Sequence, residues 1–315
     1  KYRQDESLNV IIWKDGTSGY ENSPAVILQG HIDMVAVKEE DCVKDMEKEG
    51  LDLEIQDGYL SAKQTSLGGD DGIAVAYSLA LLASTDIPHP PLEAVFTVDE
   101  EIGMLGAAAI DLSDLNGKIM LNMDSEDEGI FLAGCAGGAS VRCDIPVTKG
   151  TETGVGRTLT LKGFTGGHSG TEIICQRANT NVLMGRILME LNNEMSFFVT
   201  SISGGEKDNA IAKVGKLELL IQPSDAQTFT ETMEKITATL KREYEVTDPD
   251  MQIVITEDNE EKETLVYHPS CTMKLMLALV HLPYGVVKMS NDIKGLVQTS
   301  LNLCIIKETQ DSVRL

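Results

Sequence analysis

The stretch VILQGHIDMVAV, residues 26–37, sets the reading of the chain. An apolar run stops at Gly30, and His31 and Asp33 follow one residue apart before apolar residues resume. A short apolar run of this kind reads as a buried strand. Residues 25–29 are therefore expected to form a strand with polar chemistry at its carboxyl end. Working outward, DGIAVAYSLALLAS (71–84) is apolar nearly all round and long enough for a buried helix. PLEAVFTV (91–98) and KIMLNM (118–123) read as two further strands, with a short helix in GMLGAAAIDL (103–112). Strands alternating with helices predict an α/β unit with a mainly parallel central sheet.

GCAGG, residues 134–138, is a flexible punctuation point, and the pattern changes after it. TLTLKGF (158–164), EMSFFVTSIS (194–203) and VGKLELLIQ (214–222) are strand-like. A helix is expected over 175–193 with Asn179 and Asn181 inside it, an amphipathic one over 225–244, and another through SCTMKLMLALVHL (270–282). GVVKM, LVQTSLNLCIIK and SVRL complete the strands, and the polar KETQD (307–311) fits a hairpin turn between the last two. The expected division is residues 1–137 as one domain and 138–315 as a second, α+β domain.

Acidic residues outnumber basic ones, 50 against 26, for a net charge of −24 over 315 residues. Such a surface repels nucleic acid and anionic lipid, which disfavours both as partners. The six cysteines are scattered and include no CxxC pair, so reduced thiols in a cytoplasmic protein are the simpler reading. No apolar run reaches the ~18 residues of a membrane span. The opening KYRQDESLNVIIWKDG lacks Met, drops quickly into a strand-like run and reads as the middle of a protein.

In open α/β sheets functional groups sit beyond the carboxyl ends of strands. His31 and Asp33 follow the first strand, Asp99–Glu100–Glu101 the second, and Asp124 opens DSEDE after the third. LGGDDG (67–72) places Asp70 and Asp71 at the start of the helix. One histidine with several carboxylates suits Zn²⁺, Co²⁺ or Mn²⁺. Two such ions ~3.5–4 Å apart, sharing a carboxylate, can clamp an attacking oxygen and the group it attacks. Singly, a His-x-Asp is more often a hydrogen-bonded turn and an Asp-Glu-Glu run a solvated loop. Their recurrence at successive strand ends points to a metal centre.

GHIDMV, TSLGGDDGIAVA, FTVDEEIGMLGA, LNMDSEDEG, GCAGG, LKGFTGGHSG and RANTNVL occur in that order. Together they resemble the Xaa-His dipeptidase branch of the dinuclear zinc peptidases, the family that also holds carnosinase and peptidase T. The resemblance covers essentially the whole chain. It implies a zinc-peptidase catalytic domain, of which 1–137 is the N-terminal part, and a lid and dimerisation domain in 138–315. It implies two Zn²⁺ per complete subunit, with Co²⁺ or Mn²⁺ as substitutes. His31 and Asp124 match ligands of the first zinc, Asp70 the bridging carboxylate and Glu101 a ligand of the second. Asp33 matches the acid that orients the ligand histidine, and Glu100 the general base. The implied reaction is hydrolysis of small peptides by a homodimer.

His168 matches a lid-domain histidine that reaches the partner's site and stabilises the oxyanion, and Asn209 a lid-domain asparagine of the broader family's NAIPRE. Here Ala212, Lys213 and Val214 replace the Pro, Arg and Glu of that motif, and Asp71 stands where the branch commonly has Asn. The family's return segment carries a further substrate-binding acid and the last zinc-ligand histidine. His168, His268 and His281 lie in other contexts. The expectation is an incomplete catalytic domain that binds at most about one zinc tightly. The alternatives are another peptidase or N-acyl-amino-acid deacylase on the same scaffold, or a non-catalytic metal-binding and dimerisation fragment.

Overall fold

The first residues pair early. β1 (Tyr2–Gln4) and β2 (Val10–Lys14) form an antiparallel pair. β3 (Val26–His31) follows, then a small hairpin of β4 (Leu53–Gln56) and β5 (Tyr59–Ala62), helix α1 (Gly69–Ala83), β6 (Leu92–Thr97), the short α2 (Leu105–Ala109) and β7 (Ile119–Asn122). The computed structural model describes residues 1–39, 41–125 and 129–315, and it divides into two compact units, Lys1–Cys135 and Ala136–Leu315.

In the first unit the strand order is β1-β2-β6-β3-β7. β3 runs parallel to both β6 and β7, whereas β2 is antiparallel to β6. The sheet is thus mixed: three parallel strands carry the polar clusters and an antiparallel pair closes one edge. The parallel ladder continues to His31, paired with Thr97, so β3 runs past the expected 25–29 and His31 is its last residue. β6 is buried along its whole length, as a central strand flanked on both sides should be. α1 departs from the expectation of a helix buried all round. It turns Ala74 and Ser78 inward and leaves Ile73, Tyr77 and Leu79 exposed. Its small inner face lets it lie close on β3: a Cβ at Gly30 would come within 2.6 Å of the Ala74 Cβ.

The second unit comprises β8 (Asp144–Pro146), β9 (Lys149–Lys162), α3 (Thr180–Glu194), β10 (Phe198–Gly204), β11 (Gly215–Ile221), α4 (Ala226–Glu243), β12 (Gln252–Tyr267), α5 (Pro269–His281), β13 (Gly285–Met289), β14 (Val297–Leu301), β15 (Lys307–Glu308) and β16 (Ser312–Arg314). β9 to β12 and their two helices make a βαββαβ unit with antiparallel order β10-β11-β9-β12. α4 buries Phe229, Thr232, Met233, Ile236 and Leu240, the stripe its sequence period requires. Asn179 is not inside α3 but caps it, accepting the N–H groups of Asn181 and Val182. The expected turn at KETQD is present: β15 and β16 pair antiparallel across it. The six cysteines are free. No helix among the described residues is long and apolar enough to cross a membrane.

The core of the second unit lies between its sheet and α3, α4 and α5, with Leu183, Ile187, Leu188, Leu217, Met233 and Leu279 among its buried members. α3 and α5 touch at Gly185, where an added Cβ would come within 2.6 Å of the Leu279 Cβ. Gly185→Val is therefore expected to destabilise this unit by about 1–3 kcal/mol through overpacking. Thermal unfolding of the variant checks this, and an unchanged melting temperature would mean the helices separate freely.

Candidate metal centre

The centre is built at the carboxyl ends of the three parallel strands. His31 ends β3 with its side chain almost wholly buried, 1% exposed. Its backbone N–H donates to Asp71 Oδ2 at 3.2 Å. Nδ1 lies 3.0 Å from the Asp33 carbonyl oxygen and 3.4 Å from Asp33 Oδ1. Nε2 lies 2.9 Å from Asp70 Oδ1 and 3.9 Å from Glu100 Oε2. With Nδ1 donating to the Asp33 carbonyl, Nε2 is the nitrogen left to face a cation among the carboxylates.

The Asp-Glu-Glu turn is held from two directions. Asp33 accepts the N–H of Glu100 on Oδ1 at 3.1 Å and that of Glu101 on Oδ2 at 3.0 Å. The Asp33 main-chain carbonyl thus fixes the His31 ring, and its carboxylate fixes the backbone of both glutamates. From the other side Asn9, 1% exposed, accepts the Val98 N–H at 3.1 Å and donates to the Gly106 carbonyl at 3.0 Å. Asp99 takes a left-handed φ of 55°, which makes the turn after β6 sharp.

At α1 the Asp70–Asp71 peptide bond is cis, and both residues depart from helical backbone geometry before the helix proper. Asp70 remains open to solvent and faces His31 Nε2, whereas Asp71 is buried against β3. Potential ligand atoms of His31, Asp70 and Glu101 lie within 4.8 Å of one another, and so do those of His31, Asp71 and Asp124. His31 is common to both groups. Asp124 follows β7 in the loop that opens the DSEDE run; Glu126, Asp127 and Glu128 of that run lie outside the described residues.

The titration of the cluster reflects crowded negative charge. Burial pushes the Asp71 carboxyl up to about 6, with the Asp124 charge adding to the effect. Burial first, then the neighbouring carboxylates, raise Asp124 and Glu100 as well. For His31, burial by itself would favour the neutral ring. The Asp70 hydrogen bond and the charges of Asp124, Asp33 and Glu100 together outweigh it and raise the pKa. Asp33 goes the other way, because the two N–H groups it accepts overcome the cost of burial and lower its pKa. One imidazole amid several oxygen donors is a fitting set for Zn²⁺, Mn²⁺ or Co²⁺.

His31, Asp33, Asp70, Glu100, Glu101 and Asp124, six residues singled out from the sequence, thus fall in one cluster. Sequence reasoning missed Asn9 altogether, and it named Asp71 without giving it a role. The signal for Asp71 was its place beside Asp70. Asn9 had none, since its partners lie far along the chain. His168 and Asn209 belong to the second unit, where they meet: His168 bridges to Ala210, and the Asn209 carbonyl accepts the Ser169 N–H at 2.8 Å. His168 Nδ1 accepts the N–H groups of Gly170 and Thr171, each at 3.2 Å. A nitrogen that accepts two N–H groups carries the lone pair, so in the neutral ring the proton sits on Nε2.

Comparison with known proteins extends this geometry. Residues 159–248 match the model of the peptidase dimerisation domain, M20_dimer. The chain is 33% identical over 317 aligned residues to cytosol non-specific dipeptidase of Escherichia coli (strain K12), covering 99% of this chain and 64% of that protein. It superimposes on the crystal structure of aminoacylhistidine dipeptidase from Vibrio alginolyticus with a TM-score of 0.75 and 36% identity, covering 99% of this chain and 64% of that one. The chain therefore resembles these dipeptidases along its whole length and spans 64% of theirs.

Proposed function

We propose that the first unit is the N-terminal part of a metallopeptidase catalytic domain, that the second is its lid and dimerisation domain, and that the protein they build hydrolyses dipeptides, Xaa-His among others, in the cytoplasm. The observation that carries this reading is the buried His31 shared by two groups of carboxylate ligands at the ends of parallel strands. The two relatives, named as dipeptidases, support the substrate class. In this reading His31, Asp70 and Asp124 would hold one zinc ion, with Asp71 beside it, and Asp70 and Glu101 would supply part of the donor set of a second, which the return segment's histidine completes. Bound zinc supplies Lewis acidity and brings the pKa of water down to about 7.

The chain's own residues do the rest. Glu100, raised by burial and facing the cluster, takes the proton of the attacking water and passes it to the leaving nitrogen. Asp33 keeps the His31 ring and the Glu100 backbone in register. His168 offers Nε2–H to the substrate carbonyl oxygen as negative charge develops there. In the dimer it serves the cluster of a second copy, and Asn209, beside it, contacts substrate. A panel of Xaa-His and other dipeptides set against N-acylated amino acids, each with and without chelator, tests the activity. Chelator-sensitive cleavage of dipeptides is expected. Cleavage confined to the acylated compounds would replace dipeptidase by deacylase, and no cleavage of either would leave a binding module.

The dimer should form through the second unit. There β12 lies at the sheet edge, paired among the described residues with β9 alone, and an open edge strand is a template for pairing with another chain. Light scattering is expected to report two copies across micromolar concentrations. A clean monomer would remove both the dimer and the trans role of His168.

A further inference from the structure

The loop that presents His168 runs from the end of β9 to the start of α3, residues 163–179. One side chain from outside the loop holds both of its ends. Asp248, wholly buried after α4, accepts the Thr165 N–H on Oδ1 at 3.0 Å and the Ala178 N–H on Oδ2 at 2.8 Å. The same segment reinforces one end, since Thr165 Oγ1 donates to the Thr247 carbonyl at 2.8 Å. A buried carboxylate is tolerable only where hydrogen bonds replace its water, and here both oxygens are spent on the loop. Asp248 lies in the second unit and is not one of the carboxylates clustered around His31.

The clasp continues inward to the histidine. Next to Ala178, Arg177 donates to the Gly166 carbonyl at 2.6 Å and pairs with Glu172 at 2.8 Å. Glu172 Oε2 accepts the His168 N–H at 2.8 Å. The Gly170 and Thr171 amides then aim at Nδ1. We propose that Asp248 is a positioning residue for His168: by closing the base of the loop it keeps the 170–171 amides on Nδ1, and so holds the ring proton on Nε2, where it can be donated. This deepens the reading of His168 as a substrate-contacting group and rests on it.

The test reads the ring itself. In long-range ¹H–¹⁵N spectra of the full chain at about pH 8, where histidine is neutral, His168 is expected to show one tautomer, protonated on Nε2. Asp248→Asn keeps the shape but turns one acceptor oxygen into an N–H donor facing another N–H. The variant is expected to show the mixed tautomers of an unconstrained ring and to lose about 10–100-fold in dipeptide turnover, the scale of outer-sphere partners. His268, whose Nδ1 accepts the Ser270 N–H at 3.3 Å, is the internal control and should not change. A folded Asp248→Asn variant with His168 unaltered overturns the proposal.

Should that variant fail to fold, amide exchange in the unaltered chain decides. A common rate for Thr165, Gly170, Thr171 and Ala178 supports one clasped unit. Fast exchange at 170–171 with protection at 165 and 178 overturns it. Full turnover in His168→Ala would instead remove the functional reading of His168 and leave the tautomer result standing.

Discussion

Glu100→Gln is expected to lower dipeptide turnover by about 10²-fold or more while leaving metal content unchanged. The side chain is one-third exposed, 33%, with Oε2 3.9 Å from His31 Nε2, so it lies beside the candidate ligands and within reach of water. Burial foremost, with the Asp124, Glu101 and Asp70 charges, raises its pKa, which moves a carboxylate toward the range in which a base works at neutral pH. Glutamine keeps the size and leaves undisturbed the backbone N–H that Asp33 accepts. What is removed is the negative charge and, with it, the capacity to take a proton. Turnover and elemental analysis on the same sample separate the effects. Unchanged turnover would take the base role from Glu100, and lost metal would make it a ligand instead.

The parts of this site that the sequence made legible are those encoded locally. β3, β6 and β7 announce themselves as short apolar runs, and the acids that follow each run lie at strand ends because a chain leaving a sheet meets water there. The β4–β5 hairpin was legible too, and was missed. Asp57 and Gly58 both take positive φ, 52° and 86°, which is the two-residue turn that an Asp-Gly pair favours. β12 was hidden for the opposite reason: its polar EDNEEKET stretch carries little apolar signal, and its pairing with β9 holds it in the sheet. The grip of Asp71 on the His31 N–H, of Asn9 on the turn after β6 and of Asp248 on the 165–178 loop was not legible. Each joins residues distant in sequence through a backbone donor, and backbone donors are the same at every position.

His31→Ala is expected to abolish tight zinc binding, and Glu101→Ala to leave the tighter of the two candidate sites in place. His31 belongs to both groups of potential ligands, whereas Glu101 belongs to one. Taking away the imidazole leaves carboxylates alone, a harder donor set that favours zinc less. Asp33→Ala keeps the carbonyl that accepts from the His31 ring but removes the carboxylate beside it that holds the Glu100 and Glu101 N–H groups, and should cost about 10–100-fold in affinity. The chelated protein carries a further signature. Asp71, Asp124 and Glu100 have folded pKa values raised above the ordinary range, so the folded chain takes up protons at these positions more readily than the unfolded chain. Their contribution to stability is full below their ordinary pKa and is lost as pH rises through the folded value, about 6 for Asp71. His31 acts in the same direction, Asp33 in the opposite one. Chelated protein should therefore gain stability from this cluster as pH falls from 7 through 6. Zinc at neutral pH should supply the positive charge that protons supply in its absence, and flatten that slope. Zinc titration against a competing chelator, with thermal unfolding across pH, reads both effects. Unaltered zinc affinity in His31→Ala would show that the ion binds elsewhere.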